Sequence, residues 1–308
     1  MKIFNSLSIC LLLLVVACNK SKQIETDPPE TYSPETYPEY FRPVTSASSK
    51  WISEIVEYRP APGQFINTSL GDPEAARGLV GAKGELSLGG YGGYVIFKFD
   101  HTVINKQGYD FVIHGNAFST SSEAGIVMVA ADVNRNGIAD PDEWYELRGS
   151  EHGKQETVSN YSVTYTKPVQ TLTAMDIAWE DSDGVTGLIE ANEYYDQCYY
   201  PLFPADNQTF TFSGTRLPDN GTENNGMYVL KAFGWGYADN YDSEYPNAVN
   251  DDNDTKNSNK FDIDNAITGG AKLEGIDFIK VYTAINQQNG WIGETSAEIC
   301  GAISLSVK

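Results

Sequence analysis

The chain of 308 residues lacks the residues and spacings on which several familiar active sites depend. Its three histidines are His101, His114 and His152, and none stands at the H-x-H or HExxH spacing of a zinc site. A phosphate-binding loop, a dinucleotide fingerprint and a G-x-S-x-G nucleophile elbow are also missing. The sequence therefore gives no support to zinc, nucleotide-dependent or serine-hydrolase chemistry.

Positive charge is scarce as well. The chain has 21 Lys and Arg residues against 42 Asp and Glu residues, which gives a formal net charge of −21. A surface of this sign repels the phosphates of nucleic acids and the headgroups of anionic lipids. We therefore expect no nucleic-acid partner.

No apolar run is long enough to cross a bilayer. The run at residues 9–17 follows Lys2 and is typical of a signal peptide, which we place at residues 1–17. The run ends at Val15-Val16-Ala17-Cys18, which resembles the bacterial lipobox and implies cleavage before Cys18 and lipidation of that residue. The alternative is an ordinary signal peptide with an incidental cysteine. We expect a lipoprotein that is anchored to a membrane by lipid and does not cross it.

Cysteine is the next scarce residue, with four in the whole chain. Cys10 falls in the signal peptide and Cys18 is the lipidation site, which leaves Cys198 and Cys300. In an exported protein these two could form a disulfide that closes a long loop, or they could remain buried thiols.

The mature chain divides into two parts by composition. Residues 18–49 are rich in Pro, Thr, Glu and Ser and have few aliphatic residues, so we expect a disordered tether. Residues 50–308 are long enough for one large β domain. Strand patterns separated by Gly, Asn and Asp turns predict an all-β, jelly-roll-like β-sandwich. The predicted strands are residues 93–99, 109–113, 125–130, 144–147, 161–165, 209–212, 227–231 and 276–282, with single helical turns near 72–77 and 189–194.

Residues 132–143, DVNRNGIADPDE, fit the calcium-loop pattern D-x-[DN]-x-[DN]-G-x5-E at every specified position. Gly137 stands where the loop must turn sharply. The alternative is a polar Asn/Gly turn between two strands. Ca²⁺ prefers six to eight hard oxygen ligands, and this spacing supplies them. The predicted ligands are Asp132, Asn134, Asn136, Ile138 through its carbonyl, Asp140 and Glu143.

Aromatic residues beside glycines are the candidate ligand contacts. Trp235 and Tyr237 lie within GWGYADN, and Trp291 lies within NGWIGET. Glycine beside an aromatic residue allows a flat ring to be exposed and to stack on a sugar or another planar ligand. The alternative is that each ring closes one end of the sandwich.

Carboxylates raise the question of glycoside hydrolysis, which requires two of them across a cleft. Glu294 is a candidate because of its neighbours Trp291 and two glycines, and the alternative is a carboxylate that fixes a turn. The acidic region from Asp239 to Asp264 could hold a second Ca²⁺, but its central stretch lacks a turn glycine and a bidentate Glu. That composition favours a solvated loop.

Several long motifs together resemble a family of Bacteroidetes cell-surface lipoproteins. The first set lies at residues 87–100, 111–118, 122–137 and 144–151, and the second at residues 234–240, 261–267 and 276–299. The resemblance implies a jelly-roll-like sandwich with bound calcium. It also implies an outer-membrane lipoprotein displayed at the cell surface. Some members are found beside corrinoid (cobalamin-type) uptake systems, which implies a ligand class and a TonB-dependent transporter complex as partner. It implies no catalytic residue.

Three hypotheses follow for function. The first is a calcium-stabilised surface protein that captures a nutrient, either a corrinoid or a glycan, for outer-membrane uptake. The second is a carboxylate-dependent glycan hydrolase or lyase. The third is a structural or adhesive surface protein. A pair of carboxylates in a deep groove favours the second, and an aromatic platform favours the first.

Overall fold

The computed structural model describes residues 38–203 and 208–307. The predicted signal peptide, the lipidation site Cys18 and most of the tether lie outside the described residues. No helix in the described part of the chain is long and apolar enough to cross a membrane.

Antiparallel strands dominate the described residues. They are β1 (Glu54–Arg59), β2 (Leu86–Ser87), β3 (Tyr94–Ile104), β4 (Phe111–His114), β5 (Gly125–Ala130), β6 (Trp144–Glu146), β7 (Val158–Thr166), β8 (Ile177–Asp181), β9 (Thr186–Ile189), β10 (Thr209–Arg216), β11 (Gly221–Asn224), β12 (Met227–Leu230), β13 (Ser258–Phe261), β14 (Gly275–Thr283), β15 (Glu298–Ile299) and β16 (Gly301–Ser304). One α-helix, α1 (Pro73–Arg77), and three 3₁₀ turns (Asn253–Thr255, Ile263–Asn265 and Gly290–Ile292) accompany them.

Two sheets enclose the main core. The larger has the strand order β1-β3-β14-β5-β6, and the smaller has the order β13-β4-β16. Side chains alternate between the two faces of a strand, so Val95, Phe97 and Phe99 of β3 point inwards, as do Ile279 and Val281 of β14. Phe97 and Val281 from the larger sheet therefore enter the same buried cluster as Phe111 and Phe261 from the smaller one. This arrangement confirms the predicted all-β sandwich.

A third sheet has the order β10-β7-β8-β9 and its own aromatic core. Tyr161 and Tyr165 alternate along β7 and pack around Tyr91, whose ring meets that of Tyr161 edge to face with centroids 5.0 Å apart. Much of the tyrosine content is therefore core.

The predicted strands are confirmed at their centres. The segment 125–130 coincides with β5, and β6 pairs back with β5 as the hairpin across the predicted calcium loop requires. The expected helical turn near 72–77 is α1, where Asp72 caps the helix by accepting the backbone N–H of Ala75. At 189–194 no helix forms: Ile189 ends β9, and a turn is present only at residues 193–194.

Arg42 lies in the segment expected to be a tether and contacts the large sheet. Its guanidinium lies 3.1 Å from the buried carboxylate of Asp277 on β14 and donates to the carbonyl of Phe99. Its backbone N–H also donates to Thr102 Oγ1. These bonds attach residues near the end of the tether to the large sheet.

Candidate functional site

The predicted calcium loop joins β5 to β6 and turns back on itself. Gly137 has a φ of +77° and donates its backbone N–H to Asp132 Oδ2 at 3.0 Å. Glu143 accepts backbone N–H groups from Val133 and Asp140 through its two oxygens. The first and last ligand positions are thereby held within one closed loop.

The first position of this loop carries an orphaned oxygen. Asp132 Oδ1 is buried and has no hydrogen-bond partner. A buried carboxylate oxygen without a partner is costly, and a cation would satisfy it. The amides of Asn134 and Asn136 both donate to Asp140 Oδ2, at 2.6 Å and 2.8 Å. The side chains of Asn134 and Asn136 thus gather around Asp140, with their amide nitrogens towards its carboxylate.

The three predicted ligand-contact residues do not form one site. Trp291 is 56% exposed, and Trp235 is 46% exposed but lines a different pocket, together with Arg148 and Lys260. Tyr237 is fully buried, and its hydroxyl accepts the backbone N–H of Glu151 at 2.9 Å. The prediction that Tyr237 offers its ring to a ligand is therefore wrong.

An open cleft of about 490 Å³ surrounds Trp291. Its walls combine exposed rings with carboxyl groups, which come from segments far apart in the sequence. We call it the acidic–aromatic cleft and define it by Phe118, Glu123, Tyr194, Trp291, Glu294 and Glu298.

The rings of this cleft are available to a ligand. Phe118 and Tyr194 are exposed like Trp291, which is unusual for large apolar side chains that lie close to one another. The indole N–H of Trp291 donates to the carbonyl of Gly226 at 3.1 Å. This bond fixes the plane of the ring, so a ligand would lose little side-chain entropy by stacking on it.

Glu294 is buried in the wall of the cleft. Its Oε1 accepts the backbone N–H of Gln64 at 2.8 Å, and its Oε2 is buried with no partner. Burial raises the pKa of Glu294 to about 7. Gly63 is required beside it, because a β-carbon there would collide with Oε1. The Glu294 carboxyl is therefore able to hold or release a proton near neutral pH.

Three further carboxylates converge beside Glu294. The nearest oxygens of Glu123, Asp239 and Glu298 all lie within 4.8 Å of one another. Burial, followed by mutual repulsion, raises the pKa of Glu123 and of Glu298. Burial likewise raises the pKa of Asp239. No sequence pattern connects these three residues, and Asp239, at the start of the acidic region from Asp239 to Asp264, is fully buried.

The two remaining cysteines are free thiols, so the disulfide considered for Cys198 and Cys300 is not formed. Cys198 lies buried among the aromatic residues of the third sheet. Cys300 precedes β16 and donates its backbone N–H to the carbonyl of His114. Each thiol thus belongs to a different packing environment, and burial raises the pKa of both.

Histidines contribute to the core of the fold. His101 lies between Asp100 and Ser304, with both ring nitrogens in hydrogen bonds. His114 is buried, as the sequence indicated, and its Nδ1 pairs with the carbonyl of Asn257. Its Nε2 has no partner, and burial lowers the pKa of His114 to about 4.

Comparison with known proteins adds no assignment, since no family model and no curated protein matches the chain.

Proposed function

We propose that this protein is a lipid-anchored, calcium-stabilised surface module that captures a nutrient in the acidic–aromatic cleft. The observation that carries the proposal is the grouping of three exposed rings around buried carboxyl groups in one open cleft. Binding sites commonly combine apolar walls with a few convergent polar groups that fix orientation.

The chemistry of the cleft favours an uncharged ligand with a flat or apolar face. Trp291 and Phe118 offer surfaces for stacking, and Glu294 offers a carboxyl oxygen that accepts hydrogen bonds. A sugar ring has such a face together with hydroxyl donors. A corrinoid has a flat macrocycle together with amide donors. The net charge of −21 disfavours anionic ligands.

We put the corrinoid first among these ligands because of the resemblance to surface lipoproteins. Handover to a TonB-dependent transporter complex is part of the same proposal, since a lipid anchor at Cys18 would hold the module at the outer membrane. Titration of the protein with cyanocobalamin and then with a panel of glycans tests it. Saturable binding of either ligand supports capture, and the absence of binding to both contradicts it.

Calcium has a structural role in this proposal. Asp132, Asn134, Asn136, Asp140 and Glu143, with the carbonyl of Ile138, would hold one Ca²⁺. The support is the orphaned Oδ1 of Asp132 and the closed shape of the loop. The amides of Asn134 and Asn136 would turn their oxygens towards the ion. Because β5 and β6 flank the loop, a bound ion would hold the edge of the large sheet.

Glu294 favours a second candidate function, a carboxylate-dependent glycan hydrolase. A general acid must be protonated at working pH, and the raised pKa of Glu294 meets that need. Its neighbour in the cleft, Glu123, would be the second carboxylate. Product release from a bound glycan, abolished in Glu294→Gln, is the outcome that would favour hydrolysis over capture. Stable binding without product favours capture.

A further inference from the structure

We propose that Glu123, Asp239 and Glu298 form a binding site for a divalent cation of the Ca²⁺ type, separate from the loop at residues 132–143. The nearest oxygens of the three carboxylates lie within 4.8 Å of one another. Ca²⁺ binds oxygen at about 2.3–2.6 Å, so one ion can reach oxygens that are up to about 5 Å apart. The three side chains therefore fit around a single ion.

The hydrogen bonds of the cluster favour the charged form of these groups. Asp239 accepts three backbone N–H bonds, from Asn116 and Ala117 at Oδ1 and from Glu298 at Oδ2. Glu123 Oε1 accepts the backbone N–H of Ser296 at 3.0 Å. Carboxylates that accept N–H bonds are stabilised as anions. These hydrogen bonds favour the anions, whereas burial and mutual repulsion favour the protonated forms.

That charge is not balanced by a side chain. Within residues 38–203 and 208–307, none of the three carboxylates forms an ion pair with Lys or Arg. Several buried anions in contact are strongly unfavourable unless protons or a cation neutralise them. A divalent cation would supply the missing charge, and its binding would release the protons that the cluster otherwise retains.

A second observation points to the same place. Glu294 lines the acidic–aromatic cleft with Glu123 and Glu298, and its Oε2 is buried with no hydrogen-bond partner. Buried polar atoms almost always have a partner, so an orphaned carboxylate oxygen here indicates a missing ligand. The cation site thus opens onto the cleft, where its free coordination positions would meet an oxygen of the captured ligand. That last step rests on the proposed function, whereas the cation site does not.

The test measures the binding of Ca²⁺ alone, in a variant from which the loop site at residues 132–143 has been removed. Asp132→Ala is expected to retain one calorimetrically detected Ca²⁺ per chain, and Asp132→Ala with Glu123→Gln is expected to lose at least tenfold in affinity for it. Affinity should also fall from pH 8 to pH 6 because protons compete. Glu85→Gln is the matched control, because Glu85 lies near Asp239 but outside the cluster, and this variant should keep the ion.

Thermal melting in the absence of calcium is the control for correct folding of the variants. Glu123→Gln keeps the shape of the side chain and cannot ionise against its neighbours, so the calcium-free melting temperature should be unchanged or higher. A merely structural carboxylate would instead give a lower melting temperature with and without calcium. Loss of all Ca²⁺ binding in Asp132→Ala, or full binding in the double variant, overturns the proposal. Neither result depends on whether cyanocobalamin or a glycan binds.

Discussion

Glu294 Oε1 accepts the backbone N–H of Gln64 at 2.8 Å, and this bond places a carboxyl group in the wall of the acidic–aromatic cleft. Gly63 makes the approach feasible, since a β-carbon at that position would collide with Oε1. The side-chain amide of Gln64 in turn donates from Nε2 to the carbonyl of Ile292 at 2.7 Å. Hydrogen bonds therefore connect the segment at 63–64 with the residues around Trp291.

Gly63→Ala is expected to disturb these hydrogen bonds. The added methyl group must displace the Glu294 carboxyl from its hydrogen bond, which costs about 1–3 kcal/mol as overpacking of a buried site. Unfolding in urea measures the loss. Gly81→Ala is a useful comparison, because Gly81 has open space around it but a positive φ, so its cost comes from backbone strain alone. Ligand affinity should fall in Gly63→Ala and not in Gly81→Ala.

The raised pKa of Glu294 predicts how stability depends on pH. The group titrates near 4.5 in the unfolded chain and near 7 in the folded protein. Between these values the folded protein binds a proton that the unfolded chain has released. The free energy of unfolding should therefore decrease as pH rises from about 4.5 to about 7, by about 3 kcal/mol for this group in the absence of calcium.

Glu294→Gln isolates that contribution. The unfolding free energies of the two proteins should be measured in calcium-free buffer from pH 4.5 to pH 8. Across this range, the value for the Gln variant should rise by about 3 kcal/mol relative to that of the unaltered protein. His114 acts in the opposite direction, since its lowered pKa removes stability as pH falls, but it is present in both proteins and cancels in the difference. Parallel pH curves would show that Glu294 titrates normally.

Calcium removal should destabilise the protein. Saturation at 100 times the dissociation constant stabilises a folded protein by about 2.7 kcal/mol. For a domain of this size, the melting temperature should therefore fall by roughly 5–10 °C on chelation. Asp132→Ala should melt lower in calcium and respond less to chelator than the unaltered protein. Asp142→Ala, an exposed acid in the same loop at a position without a ligand role, should melt unchanged.

Arg42 attaches the segment before residue 50 to the large sheet, and this attachment should contribute measurably to the free energy of unfolding. Its guanidinium pairs with Asp277, which is buried and also accepts the hydroxyl of Thr102 and the backbone N–H of Asp132. Arg42→Ala should lower the free energy of unfolding by about 2 kcal/mol, because it removes hydrogen bonds to a charged group. Arg77→Ala serves as the control, since its pairing with Glu74 is fully solvated, and it should have no measurable effect. Equal stabilities of both variants would argue against the attachment.

Much of the fold could be predicted because strand periodicity is local. The segment at 125–130 is apolar throughout because both faces of β5 are covered, and Trp144 follows the predicted loop at the right distance to pair with it. By contrast β1 is an edge strand with exposed Glu54 and Glu57 and a bulge, so its pattern is weak. Short strands such as β2 and β15 carry too few residues for any periodicity.

The site could be predicted only in part. The calcium pattern lies within one loop, and Trp291 is marked by its flanking glycines. The carboxylate cluster has no such signal, because Glu123, Asp239 and Glu298 come from three distant segments that meet only in the folded chain. Tyr237 shows the converse: it follows Gly236 as Trp235 follows Gly234, but its ring packs against Phe233 and His152.

Capture in the acidic–aromatic cleft is tested most directly by comparing two exposed tryptophans. Trp291 lines this cleft and Trp235 lines another pocket, with similar exposure. Calorimetric titration with cyanocobalamin, and with any glycan that binds, should show at least tenfold weaker binding for Trp291→Ala and unchanged binding for Trp235→Ala. Weaker binding only in Trp235→Ala, or unchanged binding in both variants, would contradict the account.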